Sequence, residues 1–488
     1  MKKNNLNISL AILILLSIFL RFYAIQSLIP FFADQGWFYL SAKNMLLIGT
    51  IPLVGITASH VWLHQGAYWT YLLAGCLFIF HCNPLSGAYL TAGMDVASVY
   101  LIYIAGKRLL SKRIALIASC IYATSPLIIV SSRTAYHTSL IPFFTILLLL
   151  TFASWIRGNT RIIPIIIGLL AVLYNFEIAT LSLSFVFLCV LFYGYWQKRL
   201  WAHIFSRQNV LGSLVAYLIT MFPMLLYDVS HQFPQTIKIL LWIIYKVVSS
   251  LGIYRIHPES HTDWLGLFRY FSLEIQRLVF MQNEPIALVL FIFSILFILL
   301  RVFKQFRKKC FDDSIVVLLL FVMIPLLILL ANGVISDAYF PVILPSVVLV
   351  IAYYLDSFFS LTYRIYPVAV FIFLIMSMNI YSLFSSAYFT SSNLQPKDNM
   401  IFPLSSEETI IFKMERFSGN KTFLITSRGL FPQSNDNYLY LAGWMGAKIS
   451  KSSNNVFTLQ PASYPTEKEN IIYRSESIIV TFKRKNIL

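Results

Sequence analysis

Acid is scarce in this chain: 20 Asp and Glu among 488 residues, against 37 Lys and Arg, leave a net charge of +17. Charge of either sign is thin, at 12% of residues where a soluble domain carries about 25%. With 58% of residues hydrophobic, this excludes an ordinary soluble domain and points to an integral membrane protein. Cysteine is sparse too. Cys76, Cys82, Cys120, Cys189 and Cys310 lie mostly in or beside apolar segments, so neither a disulfide framework nor a zinc site is indicated. Also missing are a Walker loop, a dinucleotide-binding glycine turn, a nucleophile elbow and an H-E-x-x-H motif, so nucleotide hydrolysis is not indicated.

The basic residues do not build a nucleic-acid face. They form short clusters between apolar runs, at Lys2/Lys3, Lys107/Arg108/Lys112/Arg113, Arg157/Arg161, Lys198/Arg199/Arg207 and Arg301/Lys304/Arg307/Lys308/Lys309. That pattern orients membrane helices, with Lys and Arg on the cytoplasmic side. The first apolar run, 7 to 24, has no small-residue cleavage site after it and reads as a retained helix. Further spans are expected near 84–106, 114–132, 139–156, 162–178, 180–196, 209–227, 285–302, 314–331, 339–358 and 366–387. A span needs about 20 apolar residues, so this is an all-α polytopic protein of about eleven crossings, N-terminus inside.

Residues 1–389 then form the membrane domain, with external loops at 25–83 and 228–284. "GAYWTYLLAGCLFIFH" (66–81) is short for a span and reads as a helix at the outer interface, and 228–284 reads as an amphipathic surface segment. Residues 390–488 open with the linker-like "SSNLQPKDNM" and continue as helix-like "SEETIIFKMERF" with short strands such as "KTFLIT" and "SIIVTF". They are expected to form a small extracytoplasmic α/β domain.

This topology gathers polar groups at the outer helix ends: Asp34, His64, Gln65, Arg133, Tyr136, His137, Glu177, Asp228, His231 and Asp337. Asp34 in "ADQGWFYL" is either a solvated helix end or part of a site; acids, histidines and an arginine from different helices on one face favour a site. Glu177 in "LYNFEIATL" belongs to that site or to a tight helical hairpin. Arg133 in "SSRTAYHTS" stands apart from the other basic clusters, which fits an anion such as a phosphate, or a salt bridge with one of the acids. His64 and Gln65 precede aromatics that could stack on a sugar or anchor the interface. Asp228 and His231 could bind a metal or cap a helix end.

The stretches "ADQGWFYLSAKNMLLIGTIPL", "HQGAYWTYLLA", "AGKRLLSKRIALIASCIYATSPLIIVSSRTAYHTSLIPFF" and "ISDAYFPVILPSVVLVIAYYL" resemble the polyprenyl-phosphate-sugar-dependent glycosyltransferases of the GT-C fold. The branch resembled is that of protein O-mannosyltransferases and lipid A aminoarabinose transferases. The likeness covers most of 1–390 and is strongest to about 150. It implies that Asp34 sits at the catalytic centre. Where the family commonly has Asp-Glu, this chain has Asp34-Gln35; where many relatives carry an acid after the Arg-containing motif, it has Tyr136 and His137. The Trp-Trp-Asp motif of oligosaccharyltransferases is missing.

The expected activity is inverting transfer of a sugar from a polyprenyl-phosphate donor to a lipid, protein or glycan acceptor, outside a bacterial or archaeal cytoplasmic membrane. Asp34 would be the base and Arg133 the phosphate ligand, with His64, Gln65, Tyr136 and His137 around the donor. No cofactor is required by the sequence, and a divalent metal is compatible with it. The rival reading is a transporter or flippase, which would place ionisable residues near helix midpoints and often in interrupted repeats. A polysaccharide polymerase or ligase also suits an outer-face site.

Overall fold

A computed structural model describes residues 3–57, 63–250, 253, 264–332, 336, 338–360, 365–385, 403–429, 434–464, 470–475 and 478–484. The first half runs α1 (Lys3–Phe22), α2 (Ile25–Leu28), α3 (Ala33–Ile48), β1 (Val54–Thr57), β2 (His64–Gly66), α4 (Tyr68–Ile79), α5 (Ser86–Leu109), α6 (Lys112–Thr124), α7 (Pro126–Arg133), α8 (Ile141–Trp155), α9 (Ile163–Phe176) and α10 (Leu181–Trp196). Then come α11 (Arg207–Ser230), α12 (Pro234–Ser250), α13 (Trp264–Val279), α14 (Glu284–Lys308), α15 (Asp313–Asn332), α16 (Leu344–Ser360) and α17 (Ile365–Ser385). The C-terminal part holds α18 (Leu404–Ser418), β3 (Leu424–Ser427), α19 (Asp436–Met445), β4 (Asn455–Pro461), β5 (Ile471–Arg474) and β6 (Ile478–Arg484).

The chain is a polytopic helical membrane protein. Among the described residues seven helices are long and apolar enough to cross a bilayer, and the α6–α7 pair makes an eighth candidate. Ile8–Phe22, Thr160–Phe176, Leu344–Phe359 and Tyr68–Ile79 are shorter apolar helices. Apolar side chains face outward as well as inward: Leu211, Leu214, Leu218 and Phe222 on α11 are exposed, as are Phe293, Leu296 and Leu300 on α14. In water such stripes would be costly, whereas against lipid tails they are matched.

Three sequence expectations are corrected. The span at 114–132 is not one helix but α6 and α7 bent by 57°. Ser125 precedes Pro126, whose ring disfavours the α conformation of the residue before it; Ser125 is accordingly extended and caps α7 through its hydroxyl. The loop at 25–83 contains an unforeseen helix, α3, so Asp34 does not trail the first span but lies in the first turn of a second helix. The same region adds the small β1–β2 hairpin, joined by antiparallel pairing of Val54 with Gly66 and Thr57 with His64.

Several basic clusters meet at one end of the bundle. Arg157 donates to the backbone carbonyl of Arg108, and Arg199 donates to that of Phe311 and pairs with Asp313 at 2.9 Å. In the interior, Arg21, fully buried, binds Asp95 through Nε at 2.7 Å and the carbonyl of Ala123 at 2.6 Å, while the Tyr122 hydroxyl donates to the other Asp95 oxygen at 2.7 Å. This network ties α1, α5 and α6 together.

The C-terminal part is a mixed sheet ordered β3-β4-β6-β5, with β3 parallel to β4 and the other pairs antiparallel. Phe457, Leu459, Ile478 and Val480 bury one side of it together with Ile410, Ile411 and Met414 of α18 and Tyr438 and Leu441 of α19. It is seated on the segment that precedes Asp34. Leu404 N–H donates to the Ile29 carbonyl at 2.9 Å, Asn437 Nδ2 to that of Phe31 at 3.4 Å, and the Tyr440 hydroxyl to that of Cys82 at 2.6 Å.

Candidate active site

Asp34 is held at the N-terminal turn of α3, where unpaired backbone N–H groups favour negative charge. The next residue explains how that turn is fixed. Gln35 is fully buried and its Oε1 accepts the Phe32 N–H at 2.9 Å, which ties down the helix start from one side. The helix then buries Gln35, Gly36, Phe38, Tyr39 and Ala42, and the Tyr39 hydroxyl donates to the Pro84 carbonyl at 2.6 Å. Gly36 faces a backbone: a Cβ there would lie 2.0 Å from the amide nitrogen of Asn437 on α19. No other residue allows the two helix starts to approach so closely.

Opposite Asp34 stands the short segment between α7 and α8. The Tyr136 hydroxyl donates to Asp34 Oδ2 at 3.0 Å, and burial with the neighbouring carboxylate raises the phenol's pKa well above its usual value, so it stays a donor. The Tyr136 ring packs on His137, 4.0 Å between centroids. His137 reaches Glu177 Oε2 with its Nε2 at 3.4 Å, and Gln65 Nε2 donates to the same oxygen at 2.9 Å. Glu177 sits between α9 and α10 and accepts the Ile178 N–H at 3.0 Å with its other oxygen. Gln65 is brought there because β2 runs hard against the end of α9: a Cβ on Gly66 would meet Asn175 Oδ1 at 1.8 Å.

Asp34, Tyr136, His137, Gln65 and Glu177 are thus joined by contacts from four separate parts of the chain. Arg133 ends α7 three residues before Tyr136 and is 2% exposed. His64 lies beside them on β2; burial foremost, with Lys238 nearby, holds its pKa below the usual value, and its Nδ1 bonds the Gly55 carbonyl at 3.2 Å. Buried polar groups are nearly always satisfied. Yet Gln35 Nε2, Gln65 Oε1 and His137 Nδ1, all on buried residues, have no hydrogen-bond partner among the described residues.

Other sequence candidates lie elsewhere. Asp228 is engaged in the chain itself: its Oδ1 accepts the Gln235 N–H at 2.7 Å and its Oδ2 the Thr236 N–H and hydroxyl, the pattern of a helix cap for α12. Gln235 in turn accepts the His64 N–H at 3.2 Å. His231 is exposed and stacks on Tyr227. Asp337 lies outside the described residues. Among the described residues no group of three His, Cys, Asp or Glu side chains could hold a metal.

The fold so described, with a helical membrane bundle, a helix-bearing first loop and a C-terminal α/β region, is the GT-C fold. ArnT from Cupriavidus metallidurans bound to undecaprenyl phosphate is similar with a TM-score of 0.60 over 99% of this chain and 98% of its own, at 11% identity. Its apo form gives 0.61 over 97% of each chain at 10% identity. The Archaeoglobus fulgidus oligosaccharyltransferase, solved with a tethered acceptor peptide, gives 0.55 over 92% of this chain at 14% identity; this chain spans 64% of its length. At such identities the likeness is one of fold. No protein-family model and no curated protein matches the chain.

Proposed function

We propose that this chain is a membrane glycosyltransferase that moves a sugar from a polyprenyl-phosphate donor to an acceptor at the outer face of the membrane, with inversion. The observation that carries the reading is the bond from Tyr136 to Asp34 beside buried polar atoms left unsatisfied, at the first external helix of a GT-C fold. The neighbours lend it chemistry, since one was solved with undecaprenyl phosphate and an archaeal AglB with dolichol phosphate and an inhibitory peptide. On this reading the N-terminus and the basic clusters face the cytoplasm, residues 1–389 form the catalytic membrane domain and 390–488 an external domain.

A phosphate attached to C1 of a sugar is already a good leaving group. Asp34 takes the proton of the acceptor hydroxyl as its oxygen bonds C1 from the face opposite the phosphate. The C1–oxygen bond breaks, its electron pair stays on the departing polyprenyl phosphate, and the Arg133 guanidinium matches that charge. Tyr136 orients Asp34 through its hydroxyl. Glu177 fixes Gln65 and His137, leaving Gln65 Oε1 and His137 Nδ1 to meet the sugar.

The test is release of polyprenyl phosphate by purified protein supplied with polyprenyl-phosphate sugars. Asp34→Asn should lower it by about 10²–10⁴-fold, the usual worth of a general base, without moving the unfolding midpoint by more than a few degrees. Substantial turnover in folded D34N would overturn the assignment of Asp34. Ligand-dependent flux in vesicles with no release from any donor would overturn the reading as a transferase.

A further inference from the structure

We propose that the Asp34 centre is completed by the C-terminal part of the chain, where Asp436, at the first turn of α19, is a second carboxylate that can receive the proton Asp34 takes from the acceptor. This deepens the transferase reading and rests on it.

α3 and α19 meet start to start, and the closeness is set by Gly36, whose missing side chain admits the backbone of Asp436 and Asn437: a Cβ there would lie 2.3 Å from the Asp436 carbonyl carbon and 2.0 Å from the Asn437 nitrogen. The docking is fixed along its length by the Asn437 bond to the Phe31 carbonyl, the Tyr440 bond to the Cys82 carbonyl and the 4.9 Å packing of Tyr440 on Tyr39. A second observation points to a ligand: the residues flanking this contact, Gln35 and Asn437, are both at least 98% buried, and Gln35 Nε2 and Asn437 Oδ1 have no partner among the described residues. Such atoms cost free energy unless something binds them.

The charges around Asp436 are one-sided. α3 contributes Asp34, and its Lys43 lies farther along, over the Tyr440 ring and near Gly443. α18 contributes Glu407, fully buried and bonded by Asn437 at 2.7 Å, with its pKa raised well above normal by burial. Burial, then Asp34, push Asp436 up to about 6. Near that pH Asp436 can take up or give up a proton within the field of Asp34. Gln35, next to Asp34 in sequence, is spent as a cap, and the second acid comes in from the far end of the sequence.

A carboxyl whose folded pKa is raised takes up protons on folding between its ordinary 3.8 and about 6, so its contribution to stability declines as pH rises through that window. Asp436→Asn should therefore flatten this decline and leave the protein as stable as wild type, or more so, at pH 8. Its turnover should nevertheless fall at least tenfold, and the acidic limb of kcat/KM near pH 6 should move. Wild-type turnover with an unmoved limb in folded D436N would overturn the proposal. A reading independent of activity uses D34N: losing the Asp34 charge should lower the Asp436 pKa and narrow the decline in unfolding midpoint, and an unchanged profile would overturn the coupling. No turnover from wild type with any donor would sink the transferase reading, while this stability comparison still reports on the pair.

Discussion

Two buried polar clusters in this protein are built to opposite plans. In the bundle interior every nitrogen of the Arg21 guanidinium is bonded, Nε to Asp95 and the others to the carbonyls of Ala123 and Tyr122, and both Asp95 oxygens are taken. Around Asp34 the groups are as deeply placed, yet Gln35, Gln65 and His137 each keep an atom without a partner. The closed network has nothing left to offer a ligand. Low dielectric strengthens a satisfied network and penalises an open one, so the open cluster lowers stability and its persistence needs another reason, which the proposed sugar site supplies.

The closed cluster is the easier to break. Arg21→Met leaves the Asp95 carboxylate buried with only the Tyr122 hydroxyl, and removing one partner of a buried pair costs about 3–5 kcal/mol. The unfolding midpoint in detergent should drop sharply, while the turnover of the molecules that remain folded stays close to wild type. Adding Asp95→Leu to that variant should recover much of the loss, because no charge is then stranded. A wild-type midpoint in R21M would show that water reaches the pair.

Gly36→Ala strikes at the boundary of the open cluster and should matter less to stability than to activity. One methyl group placed 2.0 Å from a backbone nitrogen must push α19 off α3. The bundle core is untouched, so the midpoint should shift by only a few degrees. Protease sensitivity near the C-terminal part should rise and sugar transfer should fall about tenfold or more if that part completes the site. Undiminished transfer with normal protease resistance would mean that the two helices separate without consequence.

Legibility in the sequence followed length and polarity. Long apolar runs announced their helices, and the composition shift near residue 390 announced the α/β region. What stayed hidden was the helix with mixed faces. α3 carries Gln35, Ser41, Lys43 and Asn44 among its apolar residues and has Gly36 in its first turn, so nothing in a search for spans selects it. The α6–α7 break lies at Ser125-Pro126, where apolar residues on both flanks make the stretch look like one continuous span. Of the candidate site, Asp34, Tyr136, His137, Gln65 and Glu177 were all selected by side and charge, and the contacts join them. Asp436 was not, because it belongs to a region whose docking depends on a glycine contact more than 400 residues away in sequence, which no local pattern encodes.

Asp228 marks the opposite case, an acid singled out by position whose bonds are spent locally. Its carboxylate accepts from the backbone of Gln235 and Thr236 and from the Thr236 hydroxyl, so it holds the start of α12 in place against α11. Asp228→Ala removes a cap worth about 1 kcal/mol, and the frayed turn includes Gln235, which bonds the His64 backbone. The expected result is the smallest of the series: a midpoint lowered by a degree or two, unchanged kcat, and at most a few-fold rise in KM for the lipid donor as β2 loosens. Asp228→Asn or Asp228→Ser, which keep an oxygen acceptor, should restore both values. A large loss of kcat in D228A with the midpoint intact would instead bring Asp228 into the chemistry and break the distinction between acids that hold the chain and acids that face a ligand.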